Sequence, residues 1–194
     1  MKEFIQPYEQ WVKRLRDTPG ILGSFSGIVY RQCAPQYATG RDLLTGAGSS
    51  KHGGRWNPRA FKAVYASLSP ETALAEALHP FRHYGFPEWQ AMPRTLVAAQ
   101  VGFTRTLDLT DPLVLTKLSI PRDLVFQELQ RYWRTLQAPG GEGWTQQIGR
   151  AAFSSGVQAL LVPSAAISAG KNVVWFPDNL DAASQAVLLR PEDL

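Results

Sequence analysis

A mixed α+β domain, with a mixed, mostly antiparallel sheet core and inserted helices, is the fold class that this 194-residue sequence predicts. More short runs have the composition of strands than have the periodicity of helices, and the helices interrupt the strands irregularly. A doubly wound sheet would alternate the two elements regularly. No G-x-G-x-x-G follows a predicted strand and no G-x-x-x-x-G-K-[ST] occurs, so the sequence predicts neither a Rossmann site nor a P-loop.

The first half of the chain predicts a helix, two strands and a long loop. Residues 1–24 are expected to form a helical extension, with residues 25–194 as the main domain. The extension has apolar residues at helical spacing, at Tyr8, Trp11, Val12 and Leu15. Phe25–Tyr30 and Ala63–Ser67 have strand composition, and Arg31 is expected at the end of the first strand. Residues 34–54, rich in Gly, Ser and Thr, predict a loop of a length that is uncommon unless it is functional.

A helix with a well-formed start follows the second strand. Ser69 suits the N-cap, Pro70 the first turn and Glu71 the positive helix end. We expect this helix to end near His79, because Pro80 follows. Further along, the pattern predicts strands over 95–101, 105–109, 157–162, 172–176 and 186–189, and helices over 121–136 and 144–155.

Composition narrows the class of protein. With 44% hydrophobic and 19% charged residues, the chain is expected to fold around a sizeable core. No apolar run is long enough for a transmembrane helix, and the first residues lack the apolar core of a signal peptide. Cys33 is the single cysteine, so no internal disulfide is possible. These features predict a cytoplasmic protein without membrane contact.

The net charge of +4 comes mainly from arginines that fall one at a time along the chain. A nucleic-acid-binding protein usually has a dense basic stripe or a known module, so we expect no direct nucleic-acid binding. Scattered arginines suit an anionic small ligand, such as a dinucleotide, or an acidic partner protein. We also expect no metal site: His79 and His83 flank Pro80, across which a regular helical ligand pair is not predicted.

The candidate site begins at Gly53-Gly54-Arg55. A glycine pair lets the backbone approach a ligand closely, and arginine has a planar fork suited to phosphate oxygens. Tyr65 follows ten residues later on a predicted strand, and Glu76 eleven residues after that on the predicted helix. Glu76 is expected beside an apolar stripe of that helix, where a carboxylate can line the edge of a cleft. The stripe consists of Ala73, Leu74, Ala77 and Leu78.

This region resembles the RES domain family, which is named for its arginine, glutamate and serine. The family pattern is a Gly-Arg-Trp segment, a Val-Tyr-Ala-Ser strand and an Ala-x-x-Glu helix, followed later by Pro-Ser-Ala and Gly-x-Asn. The chain matches it from about residue 25 to 177, with the serine at Ser164 and the asparagine at Asn172. Arg31 stands where the family has an earlier arginine. A departure is Arg59-Ala60-Phe61, where the family often has a glycine.

The resemblance implies an ADP-ribosyltransferase-like fold and a bacterial toxin of a toxin–antitoxin pair. RES domains consume NAD⁺ by hydrolysis or phosphorolysis, or transfer ADP-ribose to a protein. The partner implied is a cognate antitoxin of the Xre helix-turn-helix type that covers the active site. NAD⁺ is thus expected as the substrate.

The residue types suit that chemistry. Cleavage of the nicotinamide–ribose bond passes through an oxocarbenium-like state, which a carboxylate stabilises, and Glu76 is the candidate. Arg31 and Arg55 are candidates for the pyrophosphate, and Tyr65 for packing on nicotinamide. Ser164 and Asn172 are candidate hydrogen-bond partners of the nicotinamide amide, the ribose or a phosphate. The catalytic set expected is Glu76, Arg55 and Tyr65.

Three functions remain open from the sequence. The first is an NAD⁺ glycohydrolase or phosphorylase, and the second is a mono-ADP-ribosyltransferase that modifies a cellular protein with the same site. The third, of another class, is a non-catalytic binding module on the same fold. The acceptor is not predictable, because water and phosphate need few dedicated residues.

Overall fold

The computed structural model describes residues 8–38, 43–126 and 130–190. The strands are β1 (Gly23–Cys33), β2 (Val64–Ser67), β3 (Thr95–Asp108), β4 (Ala159–Pro163), β5 (Lys171–Trp175) and β6 (Gln185–Leu188). The helices are α1 (Tyr8–Asp17), α2 (Ala47–His52), α3 (Pro70–Tyr84), α4 (Pro112–Leu118), α5 (Arg122–Phe126), α6 (Gln130–Gln137) and α7 (Trp144–Ser154). Short 3₁₀ turns lie at Pro35–Tyr37, Glu88–Ala91 and Pro177–Asn179.

The six strands of the described residues belong to one mixed sheet. Its order is β1-β2-β5-β4-β3-β6, and β1 also pairs with β3, so five of the strands form a closed circuit. The pairings are antiparallel except for β3 with β4, which is parallel. Strand β3 is long enough to pair with β1 over most of its length and with β4 at its end. The predicted mixed α and β architecture is therefore present.

Alternation along β2 and β5 separates two cores. Ala66 pairs with Val173. Both residues, together with Trp175, belong to a core enclosed by the closed circuit of strands. Tyr65 pairs with Val174 and faces the opposite side, where α1, α4 and α7 pack around a second core. Since side chains alternate across a strand, this register decides which residues of β2 and β5 reach a surface that a ligand can enter.

Several expectations about individual elements are wrong. The two strands predicted over 95–101 and 105–109 are the single strand β3, and helix α4 was not predicted. Helix α2 lies in the segment predicted as a loop. Within the described residues seven α-helices outnumber six strands, the reverse of the predicted balance. Short helices escape prediction because they have too few turns to show a periodic pattern. Of the helix predicted over 121–136, α5 and α6 are present, whereas Leu129 and the side chain of Tyr132 lie outside the description.

Helix α3 does not end at Pro80, as the sequence predicted, but continues to Tyr84. A proline removes one helical N–H, here the one that would bond to the Glu76 carbonyl, and leaves the other helical bonds possible. The extra turns pack against the 3₁₀ turn that follows, which offsets that loss. Gly85, with a φ of 72°, ends the helix in the left-handed conformation that glycine adopts without strain.

The N-terminal helix α1 packs on α7. The Tyr8 hydroxyl donates to Ser154 Oγ at 2.9 Å, and the Arg150 guanidinium lies 3.8 Å from the centre of the Tyr8 ring. Trp11 is buried in the same core as Trp56. The helical extension predicted over 1–24 is thus docked on the main body over its described residues, while residues 1–7 lie outside the description. The domain boundary itself stays a prediction.

Candidate functional site

A cleft of about 320 Å³ opens beside the ends of β2 and β5. Its walls come from four parts of the chain: α2 with the segment that follows it, α3, α6, and the strands β2, β4 and β5. The lining residues that carry polar or aromatic side chains are Ser49, Arg55, Trp56, Tyr65, Glu76, Trp133, Arg134 and Asn172. The cleft therefore combines one carboxylate with two guanidinium groups among the described residues.

Glu76 is held by three hydrogen bonds, all to one carboxylate oxygen. Its Oε1 accepts from Ser164 Oγ at 2.6 Å, from the Ala165 backbone N–H at 2.9 Å and from Asn172 Nδ2 at 2.7 Å. Within the described residues no hydrogen bond engages Oε2, and the half-buried side chain lines the cleft. The carboxylate is fixed through one oxygen, and the other is open to a ligand.

Ser164 and Asn172 contact Glu76, a role that the sequence did not predict for them. Ser164 also accepts from the backbone N–H groups of Ala166 and Ile167, which fixes its hydroxyl oxygen in a tight turn after β4. Ser164 is not among the cleft-lining residues, whereas Asn172 is. Both candidates are thus brought to the site, and Asn172 is the one that a ligand can reach.

Arg55 lines the cleft on the segment that follows α2. Its Nη2 donates to the Val125 carbonyl oxygen, and its guanidinium lies 5.4 Å from the centre of the Trp56 ring. Gly54 precedes it, and a Cβ at that position would come within 2.3 Å of the Tyr65 hydroxyl. The glycine is therefore required by close approach of Tyr65, a protein group, rather than by a ligand.

The segment that carries Arg55 is braced from behind by amide side chains. Asn57 Nδ2 donates to three carbonyl oxygens, those of Ser49, Pro58 and Phe61. The fully buried Gln146 of α7 donates to the Gly54 carbonyl at 3.0 Å. Hydrogen bonds of this kind satisfy the backbone of an irregular segment and give it one conformation.

The Tyr65 hydroxyl is occupied by the protein itself. It donates to Asn57 Oδ1 at 2.6 Å and accepts from the Trp56 backbone N–H at 3.0 Å. Burial raises the pKa of this phenol far above its ordinary value, and the nearby hydrogen bonds and the charge of Arg55 offset only part of that rise. Tyr65 therefore stays protonated and offers its ring, not its hydroxyl, to the cleft.

Arg31 is not brought into this cleft, which corrects its expected place beside Arg55. It lies within β1, not at its end, and its neighbour Tyr30 pairs with Ser67. Since Tyr30 and Ser67 share one face of the sheet, Arg31 points to the other, where it donates to the Leu43 carbonyl at 2.9 Å. Burial there lowers the pKa of Arg31.

The Glu76 helix buries a different stripe from the one predicted. Thr72, Ala73, Ala75 and Leu78 are its buried residues, whereas Leu74 is 38% exposed. The helix is rotated so that Ala75, not Leu74, faces the protein. Glu76 nevertheless lies at the margin of the buried face, as expected, because it is adjacent both to the predicted stripe and to the observed one.

Sequence reasoning missed four contributors to the site. Trp133 and Arg134 of α6 line the cleft, and Arg134 donates to the Tyr84 hydroxyl at 3.4 Å. Ser67 and Gln146 support the site from behind. The serine of Val-Tyr-Ala-Ser was a usable signal, since it belongs to the quoted pattern. The other three residues sit in ordinary helical sequence and carry none.

Within the described residues, no group of three or more His, Cys, Asp or Glu side chains is placed to hold a metal ion. His79 and His83 do share a face of α3, with ring centres 6.1 Å apart. In the same part of the chain, no helix is long and apolar enough to cross a membrane.

The fold and the cleft agree with a family assignment. The RES domain family model matches residues 28–194, and the chain belongs to this family. Curated relatives are the NAD(+) phosphorylases MbcT of Mycobacterium tuberculosis and Mycobacterium bovis, each 26% identical over 130 residues. The match covers 64% of this chain and 62% of each relative, so it spans less than two thirds of their length.

A solved structure is similar over a larger part of the chain. The crystal structure of the M. tuberculosis MbcT–MbcA toxin–antitoxin complex matches with a TM-score of 0.69 and 24% identity. The match covers 94% of this chain and 90% of the matched chain. At this level of identity the likeness establishes a shared fold.

The departure of the sequence from the family pattern has a structural counterpart. Ala60 lies in the segment where the family often has a glycine, and its φ is 73°. That left-handed conformation favours glycine and is strained for alanine. The local chain path therefore retains a conformation suited to glycine although the residue is alanine.

Proposed function

We propose that this chain cleaves the nicotinamide–ribose bond of NAD⁺ and acts as the toxin of a bacterial toxin–antitoxin pair. The observation that carries this proposal is the Glu76 carboxylate, fixed through Oε1 and open at Oε2, in a cleft that also holds Arg55 and Tyr65. The names of its curated relatives, NAD(+) phosphorylases, point to the same substrate.

The role of the carboxylate follows from the charge that develops in the reaction. As the glycosidic bond breaks, positive charge spreads over C1 and the ring oxygen of the ribose. A negative oxygen placed before the reaction stabilises that charge without reorganisation in the transition state. Glu76 supplies such an oxygen, and its three donors prevent it from turning away.

The arginines suit the other end of the substrate. A pyrophosphate has two negative charges, and guanidinium groups bind phosphate oxygens with paired hydrogen bonds. Arg55 and Arg134 both line the cleft, so the substrate is proposed to run from Glu76 towards these two residues. The ring of Tyr65, which lines the cleft, is proposed to pack on nicotinamide. Asn172 is proposed to contact the ribose or the nicotinamide amide in addition to Glu76.

The finer assignment is an ADP-ribosyltransferase-like fold whose acceptor is water or phosphate. Phosphate is favoured because the curated relatives are NAD(+) phosphorylases. With phosphate, the bond from C1 to nicotinamide is replaced by a bond to a phosphate oxygen, and nicotinamide leaves. The competing function is transfer of ADP-ribose to a cellular protein by the same site, and the remaining one is a catalytically silent binding module.

Incubation of the purified chain with NAD⁺, with and without inorganic phosphate, separates these functions. Nicotinamide release that depends on phosphate, with ADP-ribose 1″-phosphate as co-product, is expected. Nicotinamide release that does not depend on phosphate and yields free ADP-ribose would make the chain a glycohydrolase. Label transfer from NAD⁺ to a protein would establish the transferase, and no release in any condition would leave the binding module.

Replacement of Arg55 by lysine is expected to weaken NAD⁺ binding although the charge remains. Lysine cannot present two parallel donors, so at least one charge-assisted hydrogen bond is lost, at a cost of about 1.5–3 kcal/mol or roughly tenfold or more in affinity. Calorimetric titration with NAD⁺ measures the change. Arg59→Lys, at an exposed arginine outside the lining, is the matched control. Equal affinities for Arg55→Lys and wild type would remove Arg55 from the phosphate site.

A chain that consumes NAD⁺ in the cytoplasm would harm its own cell, so an inhibitor is proposed as its partner. The structural neighbour was crystallised as a toxin–antitoxin complex. We propose a cognate antitoxin of the Xre helix-turn-helix type, with carboxylates that occupy the cleft near Arg55 and Arg134. Opposite charge would steer such a complex and apolar contacts would stabilise it.

Expression in bacteria tests the toxin role. The chain alone is expected to arrest growth while cellular NAD⁺ falls, and co-expression of the neighbouring antitoxin gene should restore both. Glu76→Gln, expressed at the same level, is the control and should not arrest growth. Normal growth with the folded, NAD⁺-cleaving wild-type chain would refute the toxin role but leave the enzymatic activity standing.

A further inference from the structure

We propose that Ser67 is a positioning residue that orients the Glu76 carboxylate through Asn172; this inference rests on the proposed cleavage of NAD⁺. Ser67 does not line the cleft and is 3% exposed, so it has no direct access to a substrate. Among the described residues, the hydrogen-bonded relay Ser67–Asn172–Glu76 is what connects it to the proposed reaction.

The relay has two short links. Ser67 Oγ donates to Asn172 Oδ1 at 2.7 Å, and Asn172 Nδ2 donates to Glu76 Oε1 at 2.7 Å. Ser67 and Asn172 are paired residues in the antiparallel ladder of β2 and β5, so the sheet itself sets the distance between them. The relay is thus built on two strands, which hold side chains more rigidly than loops do.

The direction of the relay follows from the chemistry of its members. A side-chain amide has an acceptor end and a donor end, whereas a carboxylate only accepts. Asn172 therefore has to present its Nδ2 to Glu76, and its Oδ1 is then left to find a donor in a buried place. The Ser67 hydroxyl is that donor. Rotation of the amide by half a turn would place Oδ1 against the negative Oε1 of Glu76.

Loss of the Ser67 hydroxyl would leave Asn172 Oδ1 without its buried donor and release the amide from one side. Glu76 would keep its bonds to Ser164 and Ala165, which lie on the other side, after β4. A carboxylate held from one side can rotate, and displacement of a catalytic group by about 1 Å can cost up to about 100-fold in rate. The substrate contacts proposed for Arg55, Arg134 and Tyr65, which are not part of the relay, would be unchanged.

The test compares Ser67→Ala with Ser67→Thr, which keeps the hydroxyl and suits a strand. For Ser67→Ala we expect kcat to fall about 10- to 100-fold, with KM and calorimetric affinity for NAD⁺ within about twofold of wild type. Ser67→Thr should recover most of kcat. The matched control is Thr106→Val, which removes a hydroxyl that is equally buried at 3% exposure, in the same sheet and away from the cleft.

A double-mutant cycle separates positioning from a general structural role. If Ser67 acts through Asn172, Ser67→Ala should lower kcat by less than about twofold in an Asn172→Ala background. Equal losses in both backgrounds, a wild-type kcat for Ser67→Ala, or a loss in KM rather than kcat would each overturn the proposal. Thermal unfolding of each variant checks that it is folded.

A second readout does not need activity. In ¹⁵N-labelled protein, the side-chain amide resonances of Asn172 should shift in Ser67→Ala and stay near their wild-type positions in Ser67→Thr and Thr106→Val. Unchanged resonances in Ser67→Ala would show that the relay does not exist. If wild type failed to cleave NAD⁺ while these shifts were observed, the proposed function would fail and the relay would remain.

Discussion

A glutamine in place of Glu76 is expected to preserve the fold and to lower NAD⁺ cleavage by about 100- to 1000-fold, the usual effect of removing a well-placed electrostatic group. Glutamine has the same shape, and its Oε1 can accept all three hydrogen bonds that now hold the carboxylate, from Ser164, Ala165 and Asn172. Its amide nitrogen then replaces Oε2. The cleft would lose its negative charge and little else.

The measurement is nicotinamide release at saturating NAD⁺, together with the thermal unfolding curve of each protein. Glu71→Gln is the matched control, because Glu71 lies on the same helix, is fully exposed and does not line the cleft. It should cleave NAD⁺ at the wild-type rate. Glu76→Ala is less informative, since it would leave its three donors without an acceptor. A folded Glu76→Gln protein with wild-type turnover would remove Glu76 from the mechanism.

The second large effect is expected at Gly149, in the middle of α7. A Cβ on this residue would lie 1.8 Å from the Trp56 carbonyl oxygen, and its nearest neighbours are all backbone atoms that cannot turn aside. In an exposed helix, glycine to alanine would stabilise by up to about 1 kcal/mol. At Gly149 the cost of overpacking should exceed that gain. The free energy of unfolding should fall by about 3 kcal/mol, the upper end of the usual range for overpacked cores.

Gly149→Ala should also weaken NAD⁺ binding, because the displaced carbonyl belongs to the residue next to Arg55. Denaturant unfolding and calorimetric titration measure the two effects. Gly23→Ala is the matched control: the space around its Cβ position is open and its φ is not in the left-handed region. A Gly149→Ala protein as stable as wild type would show that α7 and the Arg55 segment are not held in contact.

The Arg55–Tyr65–Glu76 set was predictable because each member sits in a local pattern with a stated spacing. The N-cap at Ser69 and the proline after it fixed where the Glu76 helix starts, and the structure has that start. The end of the same helix was not predictable, since the cost of Pro80 is offset by contacts with the 3₁₀ turn that follows it. The catalytic roles of the set stay predictions.

The expected role of Arg31 shows where local pattern is insufficient. Its position at the end of a strand depends on how far β1 extends, and the strand extends to Cys33 because β3 continues to pair with it. The face that Arg31 occupies depends on the register of Tyr30 with Ser67, a residue 37 positions away in the chain. Because successive side chains of a strand point to opposite faces, such a register decides which face of the sheet a residue reaches.

Sequence alone determined the class of fold, the chemical types gathered at the site and the family, because composition, helix starts and ordered motifs are local properties of the chain. Tertiary structure alone decided the orientation of those residues. It turned Ser164 and Asn172 towards Glu76, committed the Tyr65 hydroxyl to Asn57 and the Trp56 backbone, and brought Trp133 and Arg134 to the cleft. The physical reason is that buried polar groups must find partners, and those partners come from strands and helices far apart in the sequence.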